Sequence, residues 1–380
     1  MYSSNKIINS VSLFVIGFIG FLFVLKFSVI YNFHPALLSS LFVVGFPLFF
    51  YLVGKYNFEL NGYLTKKNVK IIFFILSGLS ILYVLIVPRI GEIGRVPAII
   101  DWLDLYFSGE FPYNSGYTPS SFPALFFMAM PFYFINFLGI FEIVGFVIFL
   151  FLIYKASKTG DEIVHRSLLL FATPVIYYEF VVRCELFFNV TFIIFLIYLA
   201  ERYLNTQKID LKFILIATGF GIGLSTRSVV AVIYAIYLLY KFRYDIKNLV
   251  IFSGIVALLF LAFLVPFIIW DQEAFVNNGP FAIQSHLSNL PFIVSLMFIL
   301  AAVVAGWMVS RLHEVFFISG LIIFFMVTLS YVFKIVDFGF NVAFFEDKID
   351  LSYLAFVIPL MILSITSHEV DRFRGRFFKV

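Results

Sequence analysis

Cysteine and charge are the two features this sequence has least of, and each scarcity narrows the classes of protein it can belong to. Cys184 is the only cysteine, which excludes an intramolecular disulfide and a metal site built from several cysteines. Only 13% of the residues are charged, against about a quarter in soluble domains. A chain with so few charges cannot cover a globule with polar groups, so it is not a soluble domain.

Nucleic-acid binding is excluded on similar grounds. Lys and Arg are scattered among short segments, and neither a basic stripe nor a nucleic-acid-binding module is present. No phosphate-binding glycine loop and no HExxH zinc motif occurs in a credible setting. We therefore expect no nucleic-acid partner and no nucleotide-binding domain.

Apolar residues are what the chain has in excess, at 62% of the total. They fall in blocks such as 7–30 and 247–269, and a helix needs about 20 residues to cross a bilayer. Only helices and closed barrels satisfy the backbone in lipid. Because the runs are continuous rather than alternating, they favour helices over a barrel. The sequence predicts an all-α polytopic membrane protein.

We predict a single transmembrane domain over residues 1–380 with twelve transmembrane helices. Residues 1–68 hold two extra N-terminal spans, 69–290 form a core with an outer loop at 89–138, and 291–380 hold the last spans and a basic tail. The predicted spans are 7–30, 36–54, 69–88, 139–155, 165–178, 186–203, 211–226, 227–241, 247–269, 290–309, 313–333 and 351–367.

The apolar stretch 119–137 contains three prolines, and we predict that it enters the membrane and returns instead of crossing. This choice places nineteen of the 26 basic residues on the cytoplasmic side, as the positive-inside rule prefers. Both termini are then cytoplasmic, and we expect a bacterial inner membrane. The basic residues left on the outer face are Arg89, Arg95, Arg183, Arg227, Lys334 and Lys348.

Charged residues of both signs collect on this predicted outer face, at loops and helix ends. A charge at the edge of an apolar helix is costly and usually functional. Arginine suits bidentate contact with phosphate, and a nearby carboxylate can act as a general base. The pattern predicts transfer of a group from a phosphate-linked donor. The candidate charged residues are Glu92, Arg95, Asp101, Asp104, Arg183, Glu185, Arg227 and Asp271.

Each candidate also has a structural explanation that the sequence leaves open. Arg183 and Arg227 are equally explained by contacts with lipid headgroups. Asp101 fits the N-cap of a helix that begins at Trp102. Glu92 follows a glycine and fits a solvated loop residue.

Several segments resemble motifs of GT-C glycosyltransferases, most closely the polyprenol-phosphate-mannose-dependent mannosyltransferases and GPI mannosyltransferase I. Residues 101–113 are similar to the Asp…Gly-x-x-Pro-Tyr element of their first large outer loop, and 117–125 to the proline-containing segment after it. Arg183-Cys-Glu185 resembles their Arg…Glu element. Residues 223–228 resemble a Gly…Lys element with Arg227 in place of lysine, and 266–284 a late outer loop of bacterial relatives.

The resemblance implies a GT-C-like helical bundle that transfers a hexose or pentose, with inversion, from a polyprenyl-phosphate sugar donor to a lipid-linked or cell-envelope glycan. It implies no cofactor, and assistance by a divalent metal stays open. Glu92 or Asp101 would be catalytic, although the aspartate expected upstream of Gly109 is missing from 91–95. The arginines that would bind the donor phosphate are Arg95, Arg183 and Arg227, and the supporting residues are Glu185, Asp104, Tyr113 and Asp271.

Two other functions use the same residues. A transporter or flippase for an anionic lipid or small anion would need the outer arginines, although such folds more often show internal repeats. A catalytically inactive relative of the glycosyltransferases would explain the missing aspartate.

Overall fold

The computed structural model describes residues 2–55, 66–87, 95–346 and 348–366. Every regular element in these ranges is helical, and none of the described residues forms a strand, so the predicted all-α class is confirmed. Two short 3-10 helices, Pro112–Asn114 and Leu351–Phe356, accompany the α-helices. The α-helices are α1 (Tyr2–Ile30), α2 (Pro35–Lys55), α3 (Lys66–Ile86), α4 (Arg95–Ser108), α5 (Pro123–Phe134), α6 (Ile140–Ala156), α7 (Gly160–Ala172), α8 (Pro174–Val182), α9 (Leu186–Tyr203), α10 (Leu211–Leu224), α11 (Val230–Lys241), α12 (Ile246–Trp270), α13 (Gln272–Asn278), α14 (Pro280–Ser288), α15 (Phe292–Met308), α16 (Leu312–Phe338), α17 (Phe340–Phe345) and α18 (Val357–Ser364).

Six of the described helices are long and apolar enough to cross a membrane: α1, α2, α3, α9, α12 and α16. A seventh span results if Gln272–Ser288 and α15 are counted together across their 92° bend. Length and composition therefore make the chain a multi-pass helical membrane protein. The twelve predicted crossings are not confirmed.

The structure has fewer candidate spans than the sequence predicts because several of its apolar helices are short. Helix α10 has 14 residues and α11 has 12 residues, so at 1.5 Å per residue they are about 21 Å and 18 Å long. The hydrocarbon core is about 30 Å thick. Each of these predicted spans forms a helix near the predicted position, but neither reaches across by itself.

One predicted span, 165–178, is wrong as a single helix. The structure has α7 and α8 instead, separated at Thr173. Pro174 has no N–H to continue α7, and the Thr173 side chain accepts a hydrogen bond from Val175 N as the N-cap of α8. The break allows α8 to run on to Val182, beside the charged residues described below.

The described part of the last predicted span, residues 351–366, lies in the middle of the bundle. Its residues make up the second 3-10 helix and α18, and every residue of α18 is buried among α1, α7, α9 and α16. Arg166 on α7 closes the end of α18 by donating hydrogen bonds to the carbonyls of Leu363 and Ile365, at 3.3 and 2.8 Å. These bonds satisfy carbonyls that a helix end leaves free.

The segment 270–289, expected to be a loop, contains α13 and α14. Asp271 is the N-cap of α13, since its carboxylate accepts a hydrogen bond from Ala274 N at 2.9 Å. Helix α14 returns the chain towards residue 120, where Gln284 Nε2 donates to Ser120 O at 2.6 Å.

A second, aromatic core holds α4, α5 and the first 3-10 helix against the end of α12. Trp102 stacks on Phe126 with ring centroids 4.2 Å apart and lies 5.6 Å from the Phe267 ring. Helix α5, with 12 residues, is about 18 Å long and too short to cross; re-entry of 119–137 stays a prediction. This core fixes the first residues of α4 and the segment before α5 beside the N-terminal end of α9.

Candidate functional site

A buried carboxylate, that of Glu185, lies at the centre of a polar network at this end of the bundle. Arg183, at the end of α8, has the left-handed φ of 58°, and the resulting turn places Glu185 just before the first residue of α9. Its Oε1 accepts a hydrogen bond from Arg227 Nη2 and lies 3.8 Å from Arg95 Nη1. The Glu185 and Arg227 side chains are only 2% and 3% exposed.

Arg227 reaches this position from the short connection between α10 and α11. Thr226 Oγ1 donates to Asn189 Oδ1 at 2.9 Å, and Thr226 O accepts from Phe122 N at 2.9 Å. The connection is thereby fixed to α9 and to the segment before α5. Arg227 Nη1 also donates to Ser120 Oγ at 3.3 Å, so the guanidinium joins two segments more than a hundred residues apart in the chain.

Arg95, the first residue of α4, joins the network to the C-terminal part of the chain. Its Nη2 lies 3.0 Å from Asp350 Oδ2 and donates to Ser352 Oγ at 3.2 Å. Desolvation acts to raise the pKa of Asp350, but the Arg95 charge and the hydrogen bonds from Ser352 outweigh it and hold that pKa below its ordinary value. Asp350 is therefore a carboxylate at neutral pH.

Tyr353 presents its ring to both arginines. The ring centroid lies 4.7 Å from Arg95 Cζ and 5.9 Å from Arg227 Cζ, within the range of cation-π attraction. Its hydroxyl is 3.4 Å from Ser120 Oγ. Both guanidinium groups thus contact Glu185 and the Tyr353 ring, and Arg95 contacts Asp350 in addition.

The sequence did not predict which residues from other segments join the arginines and Glu185 in the network. One signal was available: Asp350 directly precedes an apolar run, and a carboxylate at such an edge is costly unless it has a role. Nothing local distinguishes the serines or the tyrosine from ordinary helix-end residues. The missed residues are Ser120, Gln284, Asp350, Ser352 and Tyr353.

Of the three arginines predicted to bind the donor phosphate, Arg95 and Arg227 come together at Glu185. Arg183 is directed towards the end of α3, where its Nη2 donates to the carbonyls of Val84 and Val87 at 2.8 and 2.6 Å. It therefore ties the turn between α8 and α9 to α3. It also lines a cleft of about 110 Å³ with Val96 and Ile100 of α4.

The two predicted catalytic carboxylates have different outcomes. Glu92 lies outside the described residues. Asp101 does not begin a helix, because it lies inside α4; its Oδ2 accepts hydrogen bonds from Ser115 Oγ and from Gly116 N, the latter at 2.9 Å. These bonds give Asp101 a clear structural contribution, the folding of the 115–117 turn onto α4.

The predicted supporting residues lie around the network and its aromatic core. Asp104 is exposed and accepts a hydrogen bond from Tyr133. Tyr113 is buried, which raises its pKa, so it stays protonated and donates to Ser121 O at 3.0 Å. Asp271 caps α13, as described above.

No group of three or more His, Cys, Asp or Glu side chains within the described ranges is placed to hold a metal ion. Comparison of the chain with family models, curated proteins and solved structures finds no match. The likeness to GT-C glycosyltransferases therefore stays a prediction from the motifs.

Proposed function

We propose that this protein is a membrane glycosyltransferase that transfers a hexose or pentose from a polyprenyl-phosphate sugar to a lipid-linked or cell-envelope glycan on the extracytoplasmic face. The observation that carries the proposal is the meeting of Arg95 and Arg227 at Glu185, at one end of a bundle of long apolar helices. Two guanidinium groups held side by side suit an anionic phosphate.

The surroundings of the network support a donor with a long apolar tail. Arg95 begins α4, which is outside the six long helices and packs on α5 by an aromatic core. The cleft of about 110 Å³ lined by Val96 and Ile100 lies within two turns of Arg95. A phosphate at Arg95 would thus have a cleft on the same helix, lined by Val96, Ile100 and Leu138 together with Asn136 and Arg183, for the first part of a prenyl chain.

In this proposal the acceptor hydroxyl oxygen attacks the anomeric carbon from the face opposite the phosphate, and the bond from that carbon to the phosphate oxygen breaks, which inverts the anomeric centre. The arginines hold the departing polyprenyl phosphate and stabilise its charge. Glu92 or Asp101 would take the proton of the acceptor hydroxyl. Glu185 would keep the two guanidinium groups in place, because a buried carboxylate between two cations fixes both.

The test is sugar transfer in liposomes that contain the purified protein and an extract of acceptor lipids. Radiolabelled polyprenyl-phosphate mannose, glucose and arabinofuranose are supplied in parallel. We expect Arg95→Gln and Arg227→Met to lose transfer by at least about a hundredfold, as loss of a charge-stabilising donor does. Arg202→Met is the matched control, because Arg202 is exposed at the far end of α9, about 26 Å along the helix from Glu185.

Size-exclusion profile and thermal unfolding of each variant separate loss of chemistry from loss of fold. Full turnover in a folded Arg95→Gln or Arg227→Met variant would contradict the proposal. Absence of transfer from all donors, together with absence of donor binding, would also contradict it.

One observation favours the transporter alternative. The segment Gln272–Ser288 meets α15 at 92°, and its Gln284 contacts Ser120 of the network; discontinuous helices of this kind form transport sites in secondary transporters. Movement of a labelled anionic lipid across the liposome membrane, without sugar transfer and with the same dependence on Arg95, would support this alternative.

A further inference from the structure

Each guanidinium group of the polar network already has a carboxylate partner before any ligand binds. Two guanidinium groups, Arg95 and Arg227, face two carboxylates, Glu185 and Asp350. An anion that binds Arg95 would therefore compete with the carboxylate that is already paired with it. Tight binding of an anion requires one resident carboxylate to give up its place.

Glu185 and Asp350 differ in how easily each can separate from its arginine. Glu185 is 2% exposed and is bonded to Arg227, itself 3% exposed, so its release would leave two buried charges without partners. The Asp350 side chain is 43% exposed, and its partner Arg95 is 14% exposed. Asp350 can exchange its arginine for water, whereas Glu185 cannot.

The geometry at Asp350 allows this exchange without unfolding. Its Oδ2 faces Arg95, while its Oδ1 accepts hydrogen bonds from Ser352 N at 2.9 Å and Ser352 Oγ at 2.6 Å. The backbone is held separately, since Lys26 Nζ donates to Ile349 O at 2.7 Å and Tyr331 to Asp350 O at 2.6 Å. Loss of the Arg95 contact leaves the cap and these anchors intact.

We propose that Asp350 is the resident counterion of Arg95, and that the phosphate group of the ligand displaces it. The phosphate then contacts Arg95 in place of Oδ2, with the hydroxyls of Ser120 and Tyr353 in the same network as further donors. Asp350 thereby sets the affinity of the site by competing with the ligand. The class of ligand, a prenyl phosphate, rests on the proposed function.

The experiment measures binding of farnesyl phosphate, farnesol and inorganic phosphate to the full chain in nanodiscs of zwitterionic lipid. Asp350→Asn removes the charge but retains an N-cap residue, because Asn caps as well as Asp. We expect it to bind farnesyl phosphate about two- to fivefold more tightly than the wild type, the fold-change that corresponds to a partly exposed ion pair. Arg95→Gln should weaken binding by at least about tenfold.

Asp337→Asn is the matched control. Asp337 is exposed near the C-terminal end of α16 and accepts a hydrogen bond from Asn289 Nδ2 at 2.6 Å, so this variant removes one negative charge from the same end of the bundle. We expect its affinity for farnesyl phosphate to stay within about twofold of the wild type, because a solvent-exposed charge is screened.

The possible results separate this inference from the proposed function. Tighter binding by Asp350→Asn but not by Asp337→Asn supports displacement, even if no sugar is ever transferred. Equal or weaker binding by Asp350→Asn, or no binding by either protein, overturns it. If inorganic phosphate binds as tightly as farnesyl phosphate with the same dependence on Asp350, displacement stands while the prenyl donor of the proposed function loses its support.

Discussion

Glu185 and Arg227 form an ion pair in which both side chains are almost completely buried, at 2% and 3% exposure. They are 42 positions apart in the chain, and all of α9 and α10 lies between them, so the pair fastens two helix ends that the chain leaves far apart. Such a pair is costly to break, because removal of one partner leaves a buried charge.

We expect Glu185→Gln to lower the stability of the detergent-solubilised protein by about 3–5 kcal/mol. Glu142→Gln is the matched control, since Glu142 is equally buried but neither of its carboxyl oxygens has a hydrogen-bond partner. It should be neutral or stabilising, because no cation loses its partner. Thermal unfolding of both variants and of Glu185→Gln/Arg227→Met is the measurement; the double variant should recover much of the loss. Equal losses for Glu142→Gln and Glu185→Gln would contradict this account.

Acid should weaken the contact between Arg95 and Asp350. Because the pKa of Asp350 is lowered in the fold, its contribution to stability is complete above the unfolded value of about 3.9 and is lost as the pH falls through the folded pKa. We expect the wild type to lose more stability than Asp350→Asn on titration from pH 5 downwards, and the two to differ by a constant amount above pH 5. Parallel curves throughout the acid range would exclude the contribution.

Helices α6 and α9 approach closely at Gly145, and this approach predicts a specific sensitivity. A Cβ at position 145 would lie 2.7 Å from Phe188 Cα and 3.0 Å from Phe188 N. The contact is with backbone, so one helix must move, and we expect Gly145→Ala to destabilise the protein by about 1–3 kcal/mol. Gly254→Ala is the control, since nothing lies within 4 Å of that Cβ; it should be neutral or stabilising in thermal unfolding.

The orientation of the protein in the membrane can be measured at two exposed positions near opposite ends of α12. Helix α12, with 25 residues, is about 37 Å long. Tyr244 lies just before it, at 95% exposure, and Glu110 precedes Phe111, whose ring is 6.0 Å from that of Trp270 at the other end.

We expect a membrane-impermeant maleimide to label Glu110→Cys on intact cells and Tyr244→Cys only after permeabilisation. Native Cys184 is buried, so the unmodified chain is the negative control. The reverse labelling pattern would place the candidate site on the cytoplasmic face and would contradict a donor used on the outer face.

That the chain is a helical membrane protein follows from its sequence alone, because the length and composition of an apolar run are local properties. The sequence also placed α1, α2, α9 and α12 within a few residues of their bounds. It did not determine which apolar segments face lipid and which lie in the bundle. A run that avoids water has the same composition in either place, so composition did not indicate that residues 351–364 would be enclosed by other helices at the core.

The partners of the arginines follow from how the helices pack and not from any local pattern. Arg95 meets Asp350 across 255 positions of the chain, and no spacing rule extends so far. Helix packing brings Glu185, Arg227 and Tyr353 to the same place. The physical reason is that charges were predicted from the local cost of placing them at apolar helix ends, whereas their pairing depends on which helix ends the packing of the core brings into contact.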